Sequence, residues 1–165
     1  LSSSSAASDV YKRQGCSLTL VVVLAAIFFF NLWAQNLGKY TLQPGESANF
    51  TVNPRTHDVE YYLELILKKN DTNKLKLSGK KVWFEMDSDI FYGVEEQKLF
   101  RRNHSENDDE ELPNNQKDIN LVRDGIVVSY KGEKVFNVTN NKSYTITITN
   151  VDDKPAHFEA QVVDR

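Results

Sequence analysis

The segment Tyr144-Thr-Ile-Thr-Ile-Thr-Asn150 decides the fold class of this 165-residue chain. Apolar and hydroxyl-bearing side chains alternate along it, which is the period-two pattern of a β-strand with one buried face. From Lys39 onward the apolar residues repeat at this spacing and not at the three-to-four-residue spacing of a helix. The sequence therefore predicts an all-β domain.

Short runs with a similar spacing lie on both sides of this segment, and turn-forming residues separate them. Pro44-Gly45, Asn53-Pro54 and Asp152-Asp153 are typical turn sequences, and Lys131-Gly132 predicts a tight hairpin. Short strands between regular turns favour an antiparallel β-sandwich of about eight strands. The other predicted strands are Tyr40–Leu42, Ala48–Val52, Tyr61–Lys68, Lys80–Glu85, Ile90–Val94, Ile126–Tyr130, Lys134–Val138 and His157–Val163.

Residues 101–118 interrupt the strand pattern. They contain one large apolar residue, Leu112, and the acidic run Asp108-Asp-Glu-Glu111. A segment of this composition does not build a hydrophobic core, and a long insertion in a domain is either functional or disordered. We predict a disordered acidic surface loop at 101–118.

An apolar segment precedes the β-domain. Its stretch from Leu18 to Phe30 is 13 residues long, within the roughly 7–15 residues of a signal-peptide core and short of the roughly 20 of a spanning helix. Residues 15–34 are therefore predicted to be a signal peptide cleaved after Ala34. The alternative is an uncleaved N-terminal anchor over residues 18–34, with Trp33 at the membrane interface.

Both alternatives predict the same compartment for residues 35–165. Lys12 and Arg13 precede the apolar segment, so the following domain is expected in the secretory-pathway lumen or outside the cell. Membrane contact is expected only through residues 18–34, if they remain uncleaved. Residues 1–14 lack a Met and resemble a translated cloning adaptor, and we predict that they are non-native read-through.

The composition of residues 35–165 limits the classes of partner. Removing residues 1–34 takes away two basic and one acidic residue from a chain of net charge −3, which leaves a charge of about −4. No basic stripe with interleaved aromatics is present, so nucleic acid is not an expected partner. The single cysteine, Cys16, precedes the domain, so no disulfide and no cysteine-based zinc site are expected within it.

Five N-x-[ST] sequons fit the predicted compartment and predict a glycoprotein. Asn70, Asn103 and Asn141 fall in predicted loops, where a glycan points into solvent, and they are the preferred sites. Asn137 and Asn49 are the remaining sequon residues, and Asn49 lies within a predicted strand.

The sequence contains no recognisable catalytic motif. His57, His104 and His157 are far apart in sequence, and no HExxH, Gly-x-Ser-x-Gly, P-loop or Gly-x-Gly-x-x-Gly pattern occurs. We predict a protein that is not an enzyme and has no cofactor. Asp87 and Asp89 are the candidate ligands if calcium binds, but their spacing does not match a calcium loop, and a solvated turn without metal is preferred.

Adjacent aromatic pairs supply the candidate ligand-binding residues. Neighbouring residues on a strand point to opposite faces, so one member of each pair is expected in the core and the other at the surface. Core packing is the preferred role of Trp83. The candidates for contacting a ligand are Trp83, Tyr62 and Tyr92, and the pairs are Tyr61-Tyr62, Trp83-Phe84 and Phe91-Tyr92.

Two parts of the chain resemble the GOLD domain, the lumenal β-sandwich of cargo adaptors in the early secretory pathway. Tyr40-Thr-Leu-Gln-Pro-Gly-Glu-Ser-Ala-Asn-Phe-Thr-Val52 resembles its opening, and Ser143-Tyr-Thr-Ile-Thr-Ile-Thr-Asn150 with His157–Val163 resembles its close. The family typically carries a disulfide-forming cysteine pair, a coiled coil and a C-terminal membrane helix, which residues 35–165 lack. The resemblance implies the fold and the compartment, and it implies a truncated cargo adaptor as one alternative function.

The function predicted from these observations is a non-enzymatic binding or interaction module. A protein partner is expected, because a sandwich offers faces and open strand edges for recognition. The other alternative is an accessory or inhibitory domain of a secreted hydrolase.

Overall fold

A computed structural model describes residues 20–26, 37–54, 62–93, 97–102 and 109–164. The chain divides into two units, residues 1–36 and 37–165. In the first unit, residues 20–26 form a short helix with exposed apolar side chains. No helix within the described ranges is long and apolar enough to cross a membrane. Most of the predicted signal or anchor segment, and all of residues 1–14, lie outside those ranges.

Thirteen strands build the described part of the second unit. All pairings among them are antiparallel, so the prediction of an antiparallel all-β domain is confirmed, with more strands than the predicted eight. The strands are β1 (Gly38–Leu42), β2 (Ser47–Val52), β3 (Leu63–Lys69), β4 (Leu75–Ser78), β5 (Val82–Glu85), β6 (Ile90–Gly93), β7 (Lys98–Arg101), β8 (Glu110–Leu112), β9 (Ile119–Val122), β10 (Gly125–Val128), β11 (Gly132–Asn137), β12 (Tyr144–Asn150) and β13 (Ala156–Asp164).

The strands form two sheets around one hydrophobic core. The eight-stranded sheet has the order β1-β13-β3-β11-β5-β6-β7-β8, and the five-stranded sheet has the order β2-β12-β4-β10-β9. Ile146 and Ile148 of β12 are completely buried and share the core with Leu65 and Leu67 of β3 in the other sheet. The alternation in the Tyr144–Asn150 segment thus arises because successive side chains point to the inner and the outer face of a central strand.

The predicted hairpin around Lys131-Gly132 is wrong, because its two strands lie in different sheets. β10 pairs with β4 and β9, whereas β11 pairs with β3 and β5. Tyr130, between them, is buried, and its hydroxyl donates a hydrogen bond of 2.8 Å to the Leu67 carbonyl of β3. The Tyr130 side chain thus contacts the eight-stranded sheet at the point where the chain passes from one sheet to the other.

The segment 101–118, predicted as a loop, contains strand β8. Arg101 ends β7, and Glu110–Leu112 pairs with β7 through the partners Leu99↔Leu112 and Arg101↔Glu110. Leu112 packs against the core, and Lys98 forms an ion pair with Glu111 at 3.1 Å. A single apolar side chain and cross-strand charge pairs are therefore enough for a three-residue edge strand here. Residues 103–108 lie outside the described ranges.

Candidate functional site

Three phenylalanine rings form an aromatic ladder on the outer face of the eight-stranded sheet. Phe84 of β5 pairs with Phe91 of β6, which pairs with Phe100 of β7. The ring centroids are 4.3 Å apart between Phe84 and Phe91 and 5.7 Å apart between Phe91 and Phe100, with nearly parallel planes. Because cross-strand partners point to the same face, the three rings make one continuous, partly exposed surface.

Strand alternation sends the neighbours of these rings into the core. Trp83 and Tyr92 are completely buried, as is Leu99 of β7. The two candidates Trp83 and Tyr92 are therefore in the core and offer no surface to a ligand. The rings available outside are those of their chain neighbours, Phe84 and Phe91. Among the candidates, Tyr62 is the exposed one, with 52% of its surface accessible.

A groove of about 500 Å³ runs beside the ladder. Its apolar wall is aromatic and its rim carries two cations, Lys80 and Arg102. The Arg102 guanidinium lies 4.3 Å from the centroid of the Phe91 ring, a cation–π contact. The residues around the groove are Tyr62, Lys80, Val82, Phe84, Phe91, Arg102, Asn137 and Thr139.

Both groove cations lie close to polar groups of neighbouring residues. The Lys80 ammonium donates a hydrogen bond to the Asn137 backbone carbonyl, and burial lowers the pKa of Lys80 from 10.5 to about 8. The Arg102 backbone N–H donates to the Asp89 carbonyl at 3.1 Å, and its Nε lies 3.8 Å from Asp109 Oδ1. Apolar contact area bordered by cations suits recognition of a ligand with apolar and acidic or carbonyl groups.

A buried polar cluster lies on the core side of the strands that carry the ladder. The Glu85 carboxylate is almost inaccessible and accepts hydrogen bonds from the Tyr92 hydroxyl at 2.9 Å and the Lys134 ammonium at 2.5 Å. Burial, and then the charge of Glu85, raise the pKa of Tyr92 above its ordinary value. Tyr92 therefore stays a neutral donor at physiological pH, and the cluster connects β5 and β6 to β11.

The candidate metal ligands lie at the turn between β5 and β6. Asp87 is exposed, and Asp89 adopts a positive φ of 51°. Asp and Asn tolerate this conformation better than other residues with a side chain, so Asp89 suits the turn. Within the described ranges, no three His, Cys, Asp or Glu residues come together as a metal site.

Four of the five sequon residues lie in the described part of the chain. Asn70 and Asn141 are exposed in connections between strands, and Asn49 is exposed on β2, where its Oδ1 accepts a hydrogen bond of 2.9 Å from Thr147 Oγ1. Asn137 ends β11 and lines the groove. Asn103 lies outside the described ranges.

Sequence reasoning missed Phe100 and Arg102 as parts of the surface. Both belong to the region of β7 and β8, whose short strands give no alternating pattern to read. The Trp83-Phe84 and Phe91-Tyr92 pairs did indicate an exposed aromatic surface, because each pair on a strand must place one ring outside.

Comparison of the chain with protein-family models, with curated proteins and with solved structures finds no match.

Proposed function

We propose that residues 37–165 are a β-sandwich interaction module of the secretory-pathway lumen or the extracellular space, which recognises a protein partner without enzymatic activity. The observation that carries this proposal is the aromatic ladder Phe84–Phe91–Phe100 with Arg102 stacked on it. Aromatic residues and Arg are enriched in the centres of protein interfaces and among the residues that dominate binding energy.

The setting of the ladder favours a protein over a small ligand. Its rings are partly exposed on strands of a sheet, so they present a rigid, broad surface and lose little side-chain entropy when a partner binds. The charged residues at its far side, the exposed Glu110, Glu111 and Arg101, would form the polar rim of such an interface.

Two narrower versions of the proposal differ in the identity of the partner. If the chain is a truncated GOLD-type cargo adaptor, as the resemblance of residues 40–52 and 143–150 implies, the partner is a lumenal cargo protein. If it is an accessory or inhibitory domain, the partner is a secreted hydrolase that co-purifies with it.

Site-specific photocrosslinking tests the proposal. A photoreactive phenylalanine analogue replaces Phe100 in the chain expressed in secretory cells, and a matched control carries it at Thr145, which is exposed on β12 of the other sheet and belongs to no sequon. We expect one discrete crosslinked protein from position 100, none from position 145, and loss of the product with Phe91→Ser. Equal labelling from both positions, or a product unaffected by Phe91→Ser, would overturn the role of the ladder.

A further inference from the structure

We infer that Asn137 carries an N-linked glycan whose first sugar packs into the groove against the Phe84 ring. The inference rests on the proposed export of the domain, because this modification takes place in the secretory pathway. The glycan would occupy the end of the groove next to Phe84, and the Phe91–Phe100 end of the ladder would remain available to a partner.

The strand register places Asn137 directly next to the ladder. Asn137 of β11 is the cross-strand partner of Phe84, and Phe84 is in turn the partner of Phe91. Partners on adjacent strands point to the same face, at the inter-strand spacing of about 4.8 Å. Asn137 is therefore the next position in the row that contains the three rings.

The orientation of the rings leaves one face of Phe84 turned toward this asparagine. Phe84 and Phe91 stack with 25° between their planes and 4.3 Å between their centroids, so one face of Phe84 is covered by Phe91. The register places Asn137 and Phe91 on opposite sides of Phe84, so the face that Phe91 leaves uncovered is the one on the Asn137 side. A pyranose ring has an apolar face of C–H groups, and placing that face on Phe84 would bury apolar surface from both groups.

Hydrogen bonds around the sequon Asn137-Val138-Thr139 orient the modified amide. The Thr139 backbone N–H donates to Asn137 Oδ1 at 2.9 Å, which fixes the amide oxygen against the backbone. Among the described residues, the amide nitrogen Nδ2, to which a glycan is attached, makes no hydrogen bond. Thr139 Oγ1 accepts a hydrogen bond of 2.8 Å from the Leu63 N–H, so the third sequon residue is also held in place.

The cations of the groove suit the polar groups of the sugar. Lys80 and Arg102 line the same groove as Asn137 and Phe84. Their N–H groups are donors for the hydroxyl oxygens and the acetamide carbonyl of an N-acetylglucosamine residue. The aromatic face of Phe84 therefore suits the apolar C–H face of the sugar, and the donors beside it suit the polar groups of the sugar.

The test compares two chains that each retain one sequon. The first keeps Asn137 and carries Asn49→Gln, Asn70→Gln, Asn103→Gln and Asn141→Gln. The matched control keeps Asn141, which is exposed and is not part of the groove, and carries Asn137→Gln with the other three changes. Each is secreted from eukaryotic cells that make only high-mannose glycans and is trimmed with endoglycosidase H to a single N-acetylglucosamine. Its thermal unfolding is compared with that of the same chain made without glycan in bacteria.

We expect the single sugar at Asn137 to raise Tm by about 2–5 °C, the range for one aromatic contact in a domain of this size. The sugar at Asn141 is expected to leave Tm unchanged. Phe84→Leu removes the increase at Asn137 while keeping an apolar side chain, and Phe100→Leu, two strands away, retains it. Each variant is compared with its own glycan-free form, so the change in Tm caused by the sugar can be read even if the variant itself is less stable.

Three results separate the ways in which this inference fails. In the first result, both chains are secreted, but intact mass shows a glycan on Asn141 in the control chain and none on Asn137 in the other chain. This overturns the inference and leaves the proposed export unaffected. An Asn137 sugar that raises Tm by the same amount in the parent chain and in the Phe84→Leu variant overturns the stacking. A chain that is neither secreted nor glycosylated at any sequon contradicts the proposed compartment, and the inference falls with it.

Discussion

Lys69 is a lysine inside the folded domain with 1% of its surface accessible. Its ammonium donates hydrogen bonds to the backbone carbonyls of Asn73 and Val128. Burial lowers the pKa of Lys69 from 10.5 to about 8, although the charges of Asp71 and Asp152 act in the opposite direction. The hydrogen bonds position the side chain, but the protonated form is less favourable in the folded state than in the unfolded state.

This shift predicts that stability increases with pH above neutrality. Between pH 8 and 10.5 the unfolded state binds more protons at Lys69 than the folded state does, so the free energy of unfolding rises with pH. From about pH 7.5 to about pH 9.5 we expect a gain of about 1–2 kcal/mol from Lys69, measured by urea unfolding. Lys80, with a pKa also lowered to about 8 by burial, contributes with the same sign.

Substitutions show how much of the rise in the free energy of unfolding with pH comes from the two lysines. Lys69→Met reduces the rise with pH, and adding Lys80→Met reduces it further. Lys68→Met is the control, since the Lys68 side chain is 46% accessible and lies beside Lys69 in β3. If the free energy of unfolding of Lys69→Met rose with pH as much as that of the parent chain, Lys69 would not be the source of the pH dependence.

At the scale of elements, the strands β5 to β8 form a meander that joins the rest of its sheet through β11. The β5–β11 contact has two paired positions, Phe136↔Glu85 and Asn137↔Phe84. The Glu85–Lys134 ion pair spans the same junction, with Glu85 buried and Lys134 mostly buried. The orientation of the aromatic ladder relative to Asn137 therefore depends on this short junction.

Breaking the buried ion pair is predicted to weaken the junction. Lys134→Met leaves the Glu85 carboxylate buried with only the Tyr92 hydroxyl, and we expect a loss of about 3–5 kcal/mol in the free energy of unfolding. The double variant Lys134→Met with Glu85→Gln should recover part of this loss, because it removes the unpaired charge. Lys98→Met at the exposed Lys98–Glu111 pair should cost less than about 1 kcal/mol, and similar losses in both single variants would contradict the prediction.

At the scale of the whole molecule, both sheets and the core they enclose lie within residues 37–165. We predict that a chain starting at Leu37 folds independently and unfolds in one cooperative transition. Because the core belongs to this unit, its Tm should lie within about 2 °C of the Tm of the longer chain, measured by calorimetry. A broad transition or a much lower Tm would show that residues 1–36 contribute to the fold.

The longest strands are predictable because each displays its own alternation of apolar and polar residues. β12 and β13 have seven and nine residues, and β3 has seven. The strands that were missed, β4, β7, β8 and β9, have three or four residues. Unlike the predicted four-residue strands β5, β6 and β10, they contain no consecutive β-branched or aromatic residues. They become strands because neighbouring strands supply hydrogen-bond partners, as β12 and β10 do for β4.

The aromatic site was predictable only in part. The Trp83-Phe84 and Phe91-Tyr92 pairs required that one ring of each face outward, but the sequence did not specify which one. The packing decides it, since Trp83 meets Phe136 edge-to-face in the core with 5.9 Å between the centroids. Their neighbours Phe84 and Phe91 are left on the outer face.

The sequence by itself determined the β-class of the domain and most of its longer strands, because alternation and turn chemistry are local properties of the chain. Only the tertiary structure decided which sheet each strand joins, which aromatic ring lies outside, and that Asn137 stands beside Phe84. These features depend on pairing between residues far apart in sequence, such as Asn137 with Phe84 and Ile146 with Phe50. Such pairings are set by the competition of all strands for partners within one core, which no local pattern encodes.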